Sequence, residues 1–137
     1  KIVIFHDDVI DKKSNGKGKI SDYTYQELLN FDFGSWFDSK YKNEKILLFE
    51  DFAKEFLNKN LTFAIELKVL GIERQTLDII NKYKIHDNIY ITSFLYKVLE
   101  NTRKLNKENN INCKMLFIHI PKIENISNID ILSNVFK

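Results

Sequence analysis

The sequence has little cysteine, little proline and no excess of charge of one sign, and each shortage excludes a class of protein. Its one cysteine in 137 residues excludes a disulfide scaffold and a cysteine-rich zinc site. No apolar run approaches the ~18 residues of a membrane-spanning helix. The sequence contains no G-x-G-x-x-G and no P-loop segment, which argues against a nucleotide binder. The 21 basic and 19 acidic side chains leave a net charge of +2 that is spread along the chain, so we expect no nucleic-acid partner.

Apolar residues are abundant, in contrast. They make up 44% of the chain, with 11 phenylalanines and 6 tyrosines, which is enough to fill the core of one domain. The first residue is Lys1, not methionine, and it leads directly into a strand-like segment. We therefore expect the true N-terminus to lie upstream, in which case the lack of a signal peptide says nothing about export. The compartment and the oligomeric state stay open, with a cytoplasmic location favoured.

Hydrophobic patterning predicts strands that alternate with helices. Apolar, β-branched runs predict strands at 2–5, 61–67, 89–94 and 114–118, and apolar residues at helical spacing predict helices at 49–57, 72–83 and 95–105. Thr24 and Glu27 have the spacing of a capping box, which predicts a short helix that starts near Tyr25. The chain looks irregular over 31–45, and a weak periodicity over 123–136 predicts a further helix. Strands joined by helical crossovers predict a parallel sheet.

Four such βα units can form an open doubly wound sheet or half of a (β/α)8 barrel, and composition does not separate the two. The strand 61–67 favours the barrel slightly. One of its faces carries Leu61, Phe63, Ile65 and Leu67, and the other carries Thr62, Ala64, Glu66 and Lys68. The second face becomes charged toward its carboxyl end, as the inward face of a barrel strand does where it reaches the polar mouth.

His6 is the first candidate for chemistry. It follows the strand 2–5 and precedes two aspartates. Alternation places His6 on the same face as Ile2 and Ile4, at the carboxyl end of a strand, where α/β folds hold their sites. Histidine exchanges a proton near neutral pH, as acid–base catalysis requires. A histidine that is satisfied within its turn, for instance by Asp8, is an equally good interpretation.

Glu66 and Lys68 interrupt an apolar strand and point the same way. Burying a carboxylate costs free energy unless it is paired or binds a metal. The two side chains could form an ion pair with each other; alternatively, Glu66 binds a hard divalent cation and Lys68 meets an anionic substrate. The other candidates are weaker. We expect His86 at the surface, His119 follows a strand without a supporting pattern, and Cys113 should be a packing residue.

Four segments of the chain carry a family resemblance. Residues 6–24 read H-D-D-V-I-D-K-K-S-N-G-K-G-K-I-S-D-Y-T, residues 27–37 read E-L-L-N-F-D-F-G-S-W-F, residues 64–68 read A-I-E-L-K, and residues 91–94 read I-T-S-F. In the same order, they resemble the His-Asp to Asn-Gly-x-Gly, L-D-x-G-S-W-F, I-E-I-K and S-S-F segments of the glycerophosphodiester phosphodiesterase family. The departures are Lys12-Lys13 in place of Arg-Thr and Leu47-Leu48 in place of Pro-Thr.

The resemblance implies an α/β fold that is part of a (β/α)8 TIM barrel. It would contain about four consecutive βα units, with residues 7–45 as a small loop and helix insertion after the first strand. Residues 1–137 would then be a fragment of a single TIM-barrel phosphodiesterase domain, because the family's upstream His-Arg-Gly and Glu-x-Asp segments do not occur in this sequence.

The resemblance also implies an activity. The full-length protein would hydrolyse a glycerophosphodiester to glycerol 3-phosphate and an alcohol, while the 137-residue segment alone would be inactive. The implied cofactor is a divalent metal, Mg2+ or Ca2+, with Glu66 as a ligand. His6 would be the catalytic acid or base, and Lys68 and Phe94 would bind the substrate. The alternative is a non-catalytic relative that binds phosphate esters or serves a structural role.

Overall fold

The computed structural model describes residues 1–56 and 59–116, and this part of the chain contains four helices and three strands. They are α1 Tyr25–Leu28, α2 Phe49–Phe56, β1 Phe63–Glu66, α3 Glu73–Lys82, β2 Ile89–Thr92, α4 Tyr96–Glu108 and β3 Lys114–Met115. Short 3-10 turns lie at Ile20–Asp22, Ser39–Tyr41 and His86–Asn88. None of the helices in the described ranges has the length and apolar content needed to cross a membrane.

The three strands form one parallel sheet in the order β1-β2-β3. Glu66 lies opposite Thr92 in the first pair of strands, and Tyr90 lies opposite Lys114 in the second. Helix α3 connects β1 to β2, and α4 connects β2 to β3. The predicted alternation of parallel strands and helical crossovers is therefore confirmed, as are helices α2, α3 and α4.

One face of the sheet packs against the helices. Ile91 of β2 is fully buried in a core that also contains Ile80 of α3 and Val98 of α4. The ring of Phe63 in β1 lies edge-on to Phe52 of α2, with centroids 4.9 Å apart. The opposite face of β1 carries an exposed alanine and the Glu66 side chain. This confirms the predicted division of strand 61–67 into an apolar face and a face that becomes charged.

Cys113 lies in the same core. Its side chain is 4% exposed, and its Sγ lies 3.9 Å from the carbonyl oxygen of Ile89. Burial raises the pKa of the Cys113 thiol to about 11, because the low-dielectric surroundings disfavour the thiolate. The prediction of a packing residue is confirmed, and the thiol is predominantly protonated at neutral pH.

The prediction of a sheet strand at 2–5 is wrong for the described structure. Val3 forms an isolated antiparallel bridge with Leu48, in which Ile4 donates its N–H to Leu47 and Phe49 donates its N–H to Ile2. The physical reason is its hydrogen-bonding partner, because the segment pairs with residues 47–49, next to the start of α2, and not with the parallel sheet. Ile2 packs against the main core, whereas the next side chain, Val3, packs against a second, smaller core. The segment therefore joins two apolar clusters, and the predicted count of four βα units is not confirmed.

The smaller core belongs to residues 7–45, the insertion that the family resemblance implies, and to their flanks. Ile10, Leu28 and Ile46 are buried at its centre. The capping box is confirmed: the Glu27 N–H donates to the Thr24 hydroxyl at 3.3 Å, and the Thr24 N–H donates to the Glu27 carboxylate at 2.7 Å. It starts a helix of only four residues. Residues 31–45 contain only the 3-10 turn already given, so their predicted irregularity is also confirmed.

Some predictions fall outside the described residues. The last residue predicted for helix 49–57, the end of the strand 114–118, the residue His119 and the further helix 123–136 all lie there. They stay predictions from the sequence.

Candidate functional site

The carboxyl edge of the sheet holds the first group of candidate residues. Glu66 is the last residue of β1, and Lys68 follows two positions later. The Lys68 ammonium nitrogen lies 3.2 Å from Glu66 Oε2, and the two side chains are 30% and 26% exposed. The ion pair that the sequence allowed is therefore present. It lies at the open end of the strand, where a substrate would also find it.

Ser93 connects the ends of the two strands at this edge. Its hydroxyl donates a hydrogen bond to the carbonyl oxygen of Leu67 at 2.6 Å and accepts one from the Leu95 N–H at 3.1 Å. The next residue, Phe94, is 77% exposed. The structure therefore brings Glu66, Lys68 and Phe94 to one edge. Sequence reasoning missed the role of Ser93, and the available signal was a hydroxyl residue directly after a parallel strand.

His6 lies in a different setting from the predicted one. It does not end a sheet strand, and its side chain is 83% exposed. Its Nδ1–H donates a hydrogen bond to Asp7 Oδ1 at 2.7 Å, so the local partner is Asp7 and not Asp8. This hydrogen bond lowers the pKa of Asp7. Within the described ranges, no hydrogen bond engages the other ring nitrogen, Nε2, which leaves it available to a ligand.

His6 lines a cavity of about 350 Å³ on the insertion. The cavity is thus in the size range of small-molecule sites. The apolar part of its lining consists of Ile4, Phe5, Phe33, Trp36, Ile46 and Leu47. The charged side chains around it are those of Asp7, Lys13 and Lys45. The lining includes neither Glu66 nor Lys68, so the structure does not join His6 and the sheet edge into one cavity.

Lys13 and Trp36 form a contact that sequence reasoning missed. The Lys13 ammonium nitrogen lies 3.5 Å from the centroid of the Trp36 ring, and the indole N–H donates to the Phe33 carbonyl oxygen at 2.8 Å. The Lys45 ammonium donates to the carbonyl oxygen of Phe31 at 3.1 Å. The sequence signal was an aromatic cluster at 31–37 near a Lys-Lys pair. Nothing in its spacing indicated that the two segments meet.

The remaining histidine in the described chain, His86, is half-buried in the turn before β2, at the amino end of that strand. Its Nε2 lies 3.5 Å from an Asp87 carboxylate oxygen. It is away from the carboxyl edge, where α/β folds place their chemistry. Among residues 1–56 and 59–116, no three histidine, cysteine, aspartate or glutamate side chains come together in a way that could hold a metal ion.

Comparisons with known proteins give a consistent result. A model of the glycerophosphoryl diester phosphodiesterase family matches residues 1–125. The glycerophosphodiester phosphodiesterase of Caldanaerobacter subterraneus is 29% identical over 109 residues, which are 76% of this chain and 45% of that protein. This chain therefore spans less than half the length of that curated relative.

Two solved structures resemble the fold. A glycerophosphodiester phosphodiesterase from Agrobacterium tumefaciens aligns with a TM-score of 0.71 at 19% identity, over 77% of this chain and 45% of that one. A phosphodiesterase from Oleispira antarctica, in complex with the product sn-glycerol-3-phosphate, aligns with a TM-score of 0.63 at 26% identity, over the same shares of the two chains.

Proposed function

The chain belongs to the glycerophosphoryl diester phosphodiesterase family, and on this premise we propose that the whole protein hydrolyses a glycerophosphodiester to glycerol 3-phosphate and an alcohol. The family match over residues 1–125 carries this proposal. The glycerol phosphate product bound to the Oleispira antarctica enzyme supports it. As part of the same proposal, residues 1–137 lie within a single (β/α)8 barrel domain with 7–45 as its insertion, and the parallel β1-β2-β3 sheet supports this.

The reaction needs a proton donor and a proton acceptor. Water attacks phosphorus, a new P–O bond forms, and the bond from phosphorus to the alcohol oxygen breaks. The attacking water loses a proton, and the leaving alcohol gains one. We assign one of these transfers to Nε2 of His6, because Nδ1 is held by Asp7 at 2.7 Å. Asp7 is then a positioning residue: its carboxylate fixes which ring nitrogen faces the substrate.

The sheet edge would bind the charged diester. Lys68 lies in a half-buried position and can donate its ammonium hydrogens to a phosphate oxygen. Phe94 projects from the same edge, and its exposed ring can cover the apolar side of the substrate. The diester oxygens would compete with Glu66 for Lys68, and the 3.2 Å ion pair holds the ammonium in place until the substrate arrives.

A divalent cation, Mg2+ or Ca2+, is the cofactor that we propose for the whole protein. Such a cation neutralises charge on the phosphoryl oxygens in the transition state. The Glu66 carboxylate is a hard oxygen donor at the open end of β1 and fits as one ligand. The described ranges supply no group of three histidine, cysteine, aspartate or glutamate ligands, so the proposal assigns the remaining ligands to other parts of the whole protein.

The test is His6→Ala in the whole protein. Because a positioned acid or base typically contributes ~10^2–10^4 in rate, turnover of a glycerophosphodiester should fall by about that factor. The melting temperature should change little, since His6 is 83% exposed. An activated nitrophenyl diester hardly needs protonation of its leaving group, so a smaller defect on it identifies His6 as the acid. An equal defect on both substrates identifies His6 as the base or as a binding residue.

A matched control is His86→Ala, which removes a histidine that also has an adjacent aspartate but lies at the amino end of β2. It should leave turnover unchanged. Normal turnover of the His6→Ala protein would contradict the catalytic assignment. A wild-type protein that binds glycerol 3-phosphate but turns over no diester would be the non-catalytic relative that the sequence also allows.

A further inference from the structure

The cavity beside His6 adjoins the residue to which the proposed function assigns a proton transfer. An acid that protonates the leaving oxygen has to reach it within hydrogen-bond distance, ~2.6–3.2 Å. His6 lines the cavity of about 350 Å³, and its Nε2 is not engaged by the described residues. With His6 as the acid, the alcohol released by the reaction would therefore enter this cavity. The inference that follows rests on the function proposed above.

One aromatic ring in the cavity wall, that of Trp36, already contacts a cation of the protein itself, the Lys13 ammonium. Tryptophan is the best aromatic partner for a cation, and quaternary ammonium ligands are commonly recognised through such a ring face. In this cavity the Lys13 ammonium lies 3.5 Å from the Trp36 centroid. Phe5 and Phe33 contact each other edge-to-face, with centroids 5.7 Å apart and planes at 78°. A choline-like group would have to displace Lys13 to reach the indole face.

The charges around the cavity also disfavour a cationic ligand. Lys13 and Lys45 contribute two positive charges, and Asp7 contributes one negative charge. One oxygen of the Asp7 carboxylate, Oδ1, is hydrogen-bonded to the His6 ring at 2.7 Å. A quaternary ammonium group would thus meet two ammonium groups and only one carboxylate. An uncharged polyol meets no such repulsion. Like-charge contacts of this kind are a common source of specificity.

We propose that this cavity binds the alcohol part of the diester and that Lys13, stacked on Trp36, makes it select an uncharged polyol over a quaternary ammonium alcohol. Lys13 is a specificity-determining residue in this view. Without the Lys13 ammonium, the face of the Trp36 indole that it covers would be open to a ligand cation.

The experiment compares kcat/KM of the whole protein for glycerophosphoglycerol and glycerophosphocholine. The wild type should prefer glycerophosphoglycerol. Lys13→Met removes the cation while keeping an unbranched side chain, and it should raise the relative kcat/KM for glycerophosphocholine by roughly 3- to 30-fold. Lys13→Arg keeps a cation over the ring and should keep the wild-type preference. Adding Trp36→Leu to Lys13→Met should abolish the gain, because the ring face is then lost.

Lys12→Met is the matched control, since Lys12 is the adjacent exposed lysine and does not line the cavity. It should leave the ratio of the two kcat/KM values unchanged. A wild type that prefers glycerophosphocholine, or equal ratios for Lys13→Met and Lys12→Met, would overturn the inference while leaving the proposed function intact. Absence of turnover with both substrates in the wild type would overturn the proposed function, and the inference with it.

Discussion

The sheet region and the insertion of this chain are stabilised in different ways. In the sheet region, strands β1 to β3 and helices α2 to α4 share one apolar core in which Ile91 and Ile80 are completely buried. In the insertion and its flanks, the buried apolar centre consists of Ile10, Leu28 and Ile46. Hydrogen bonds from side chains to the nearby backbone hold much of the rest, as in the capping box at Thr24 and the cluster of bonds around Asp32.

Because of this difference, we expect the sheet region to serve as a scaffold and the insertion to determine specificity. An apolar core that extends across several elements resists local opening, whereas turns held by polar contacts open at lower free energy. The sheet region presents Glu66 and Lys68 at a defined edge. His6 lies directly before the insertion, and the cavity that contains Lys13 is formed by the insertion and its flanks. We therefore expect the insertion to vary in shape and chemistry more readily than the edge that would bind the phosphate.

The largest expected effect comes from a matched pair of core truncations, Ile91→Ala in β2 and Ile10→Ala in the insertion. Both side chains are 0% exposed, and isoleucine-to-alanine changes in cores typically cost about 2–5 kcal/mol of stability. Ile91→Ala should lie in the upper half of that range, because the surrounding sheet and helices collapse poorly. Ile10→Ala should lie in the lower half, because the small core of the insertion relaxes more easily.

Hydrogen exchange of the whole protein, followed by mass spectrometry, checks where each variant opens. Ile10→Ala should increase exchange in peptides from 7–45 and leave peptides from 63–115 protected. Ile91→Ala should increase exchange in both. If Ile10→Ala exposed the sheet peptides as much as the insertion, the two regions would unfold as one unit and the distinction between them would fail.

Sequence patterns predicted the sheet region better than the insertion, for a physical reason. Burial on one helix face or one strand face leaves a period in the sequence, so α2, α3, α4 and the two faces of β1 could be predicted. The segment 2–5 misled because an apolar, β-branched run indicates an extended, buried segment but not its partner, and this one pairs with residues 47–49 between two cores.

The candidate site was partly predictable. Glu66 and Lys68 interrupt an apolar strand, so their shared edge followed from the sequence, whereas their ion pair was one of two alternatives that it left open. The contact of Lys13 with Trp36 did not, because it depends on how an irregular loop folds back. Likewise, His6 is hydrogen-bonded to Asp7 and not to Asp8. Two adjacent aspartates in a sequence do not reveal which of them the backbone angles place beside the histidine.

The intermediate expected effect concerns the ion pair at the sheet edge. Glu66→Gln should reduce turnover by at least ~10–100-fold, the usual loss when a residue that supports a metal site is changed, and activity should recover partly at raised Mg2+ or Ca2+ concentration. The melting temperature should change little. Assays across a metal titration check this prediction.

A double replacement gives the control for that effect. Glu66→Leu with Lys68→Met replaces the pair by apolar groups of similar size, which folded proteins often tolerate. The fold should survive while turnover is lost. Turnover close to that of the wild type in the double variant would show that the pair serves stability alone, and the sheet edge would then be scaffold only.

The smallest expected effect is a pH-dependent contribution of Asp32 to the stability of the insertion. Its carboxylate accepts hydrogen bonds from the Ser35 hydroxyl at 2.6 Å, and from the backbone N–H groups of Gly34 at 2.8 Å and Ser35 at 3.0 Å. The bond from the Ser35 hydroxyl contributes most to holding the pKa of Asp32 well below its usual value. The two backbone bonds and a further one from the Asn43 backbone act in the same direction. A pKa lowered by folding adds stability that is fully present above the unfolded pKa, about 4 for aspartate. That stability is lost as the pH falls below it.

Melting temperatures at pH 7, 5, 4 and 3 test this contribution with Asp32→Asn and Ser35→Ala. Asp32→Asn should melt below the wild type at pH 7, by less than Ile10→Ala does, because an amide cannot accept all of these bonds. The difference should shrink as the pH falls below about 4, where the wild-type carboxylate becomes protonated in the unfolded state. Ser35→Ala, which removes only the first of the bonds, should show part of the same pH-dependent difference, and adding it to Asp32→Asn should bring no further pH dependence. A difference between wild type and Asp32→Asn that stays constant from pH 7 to 3 would mean that the turn geometry, and not the ionised carboxylate, stabilises this part of the insertion.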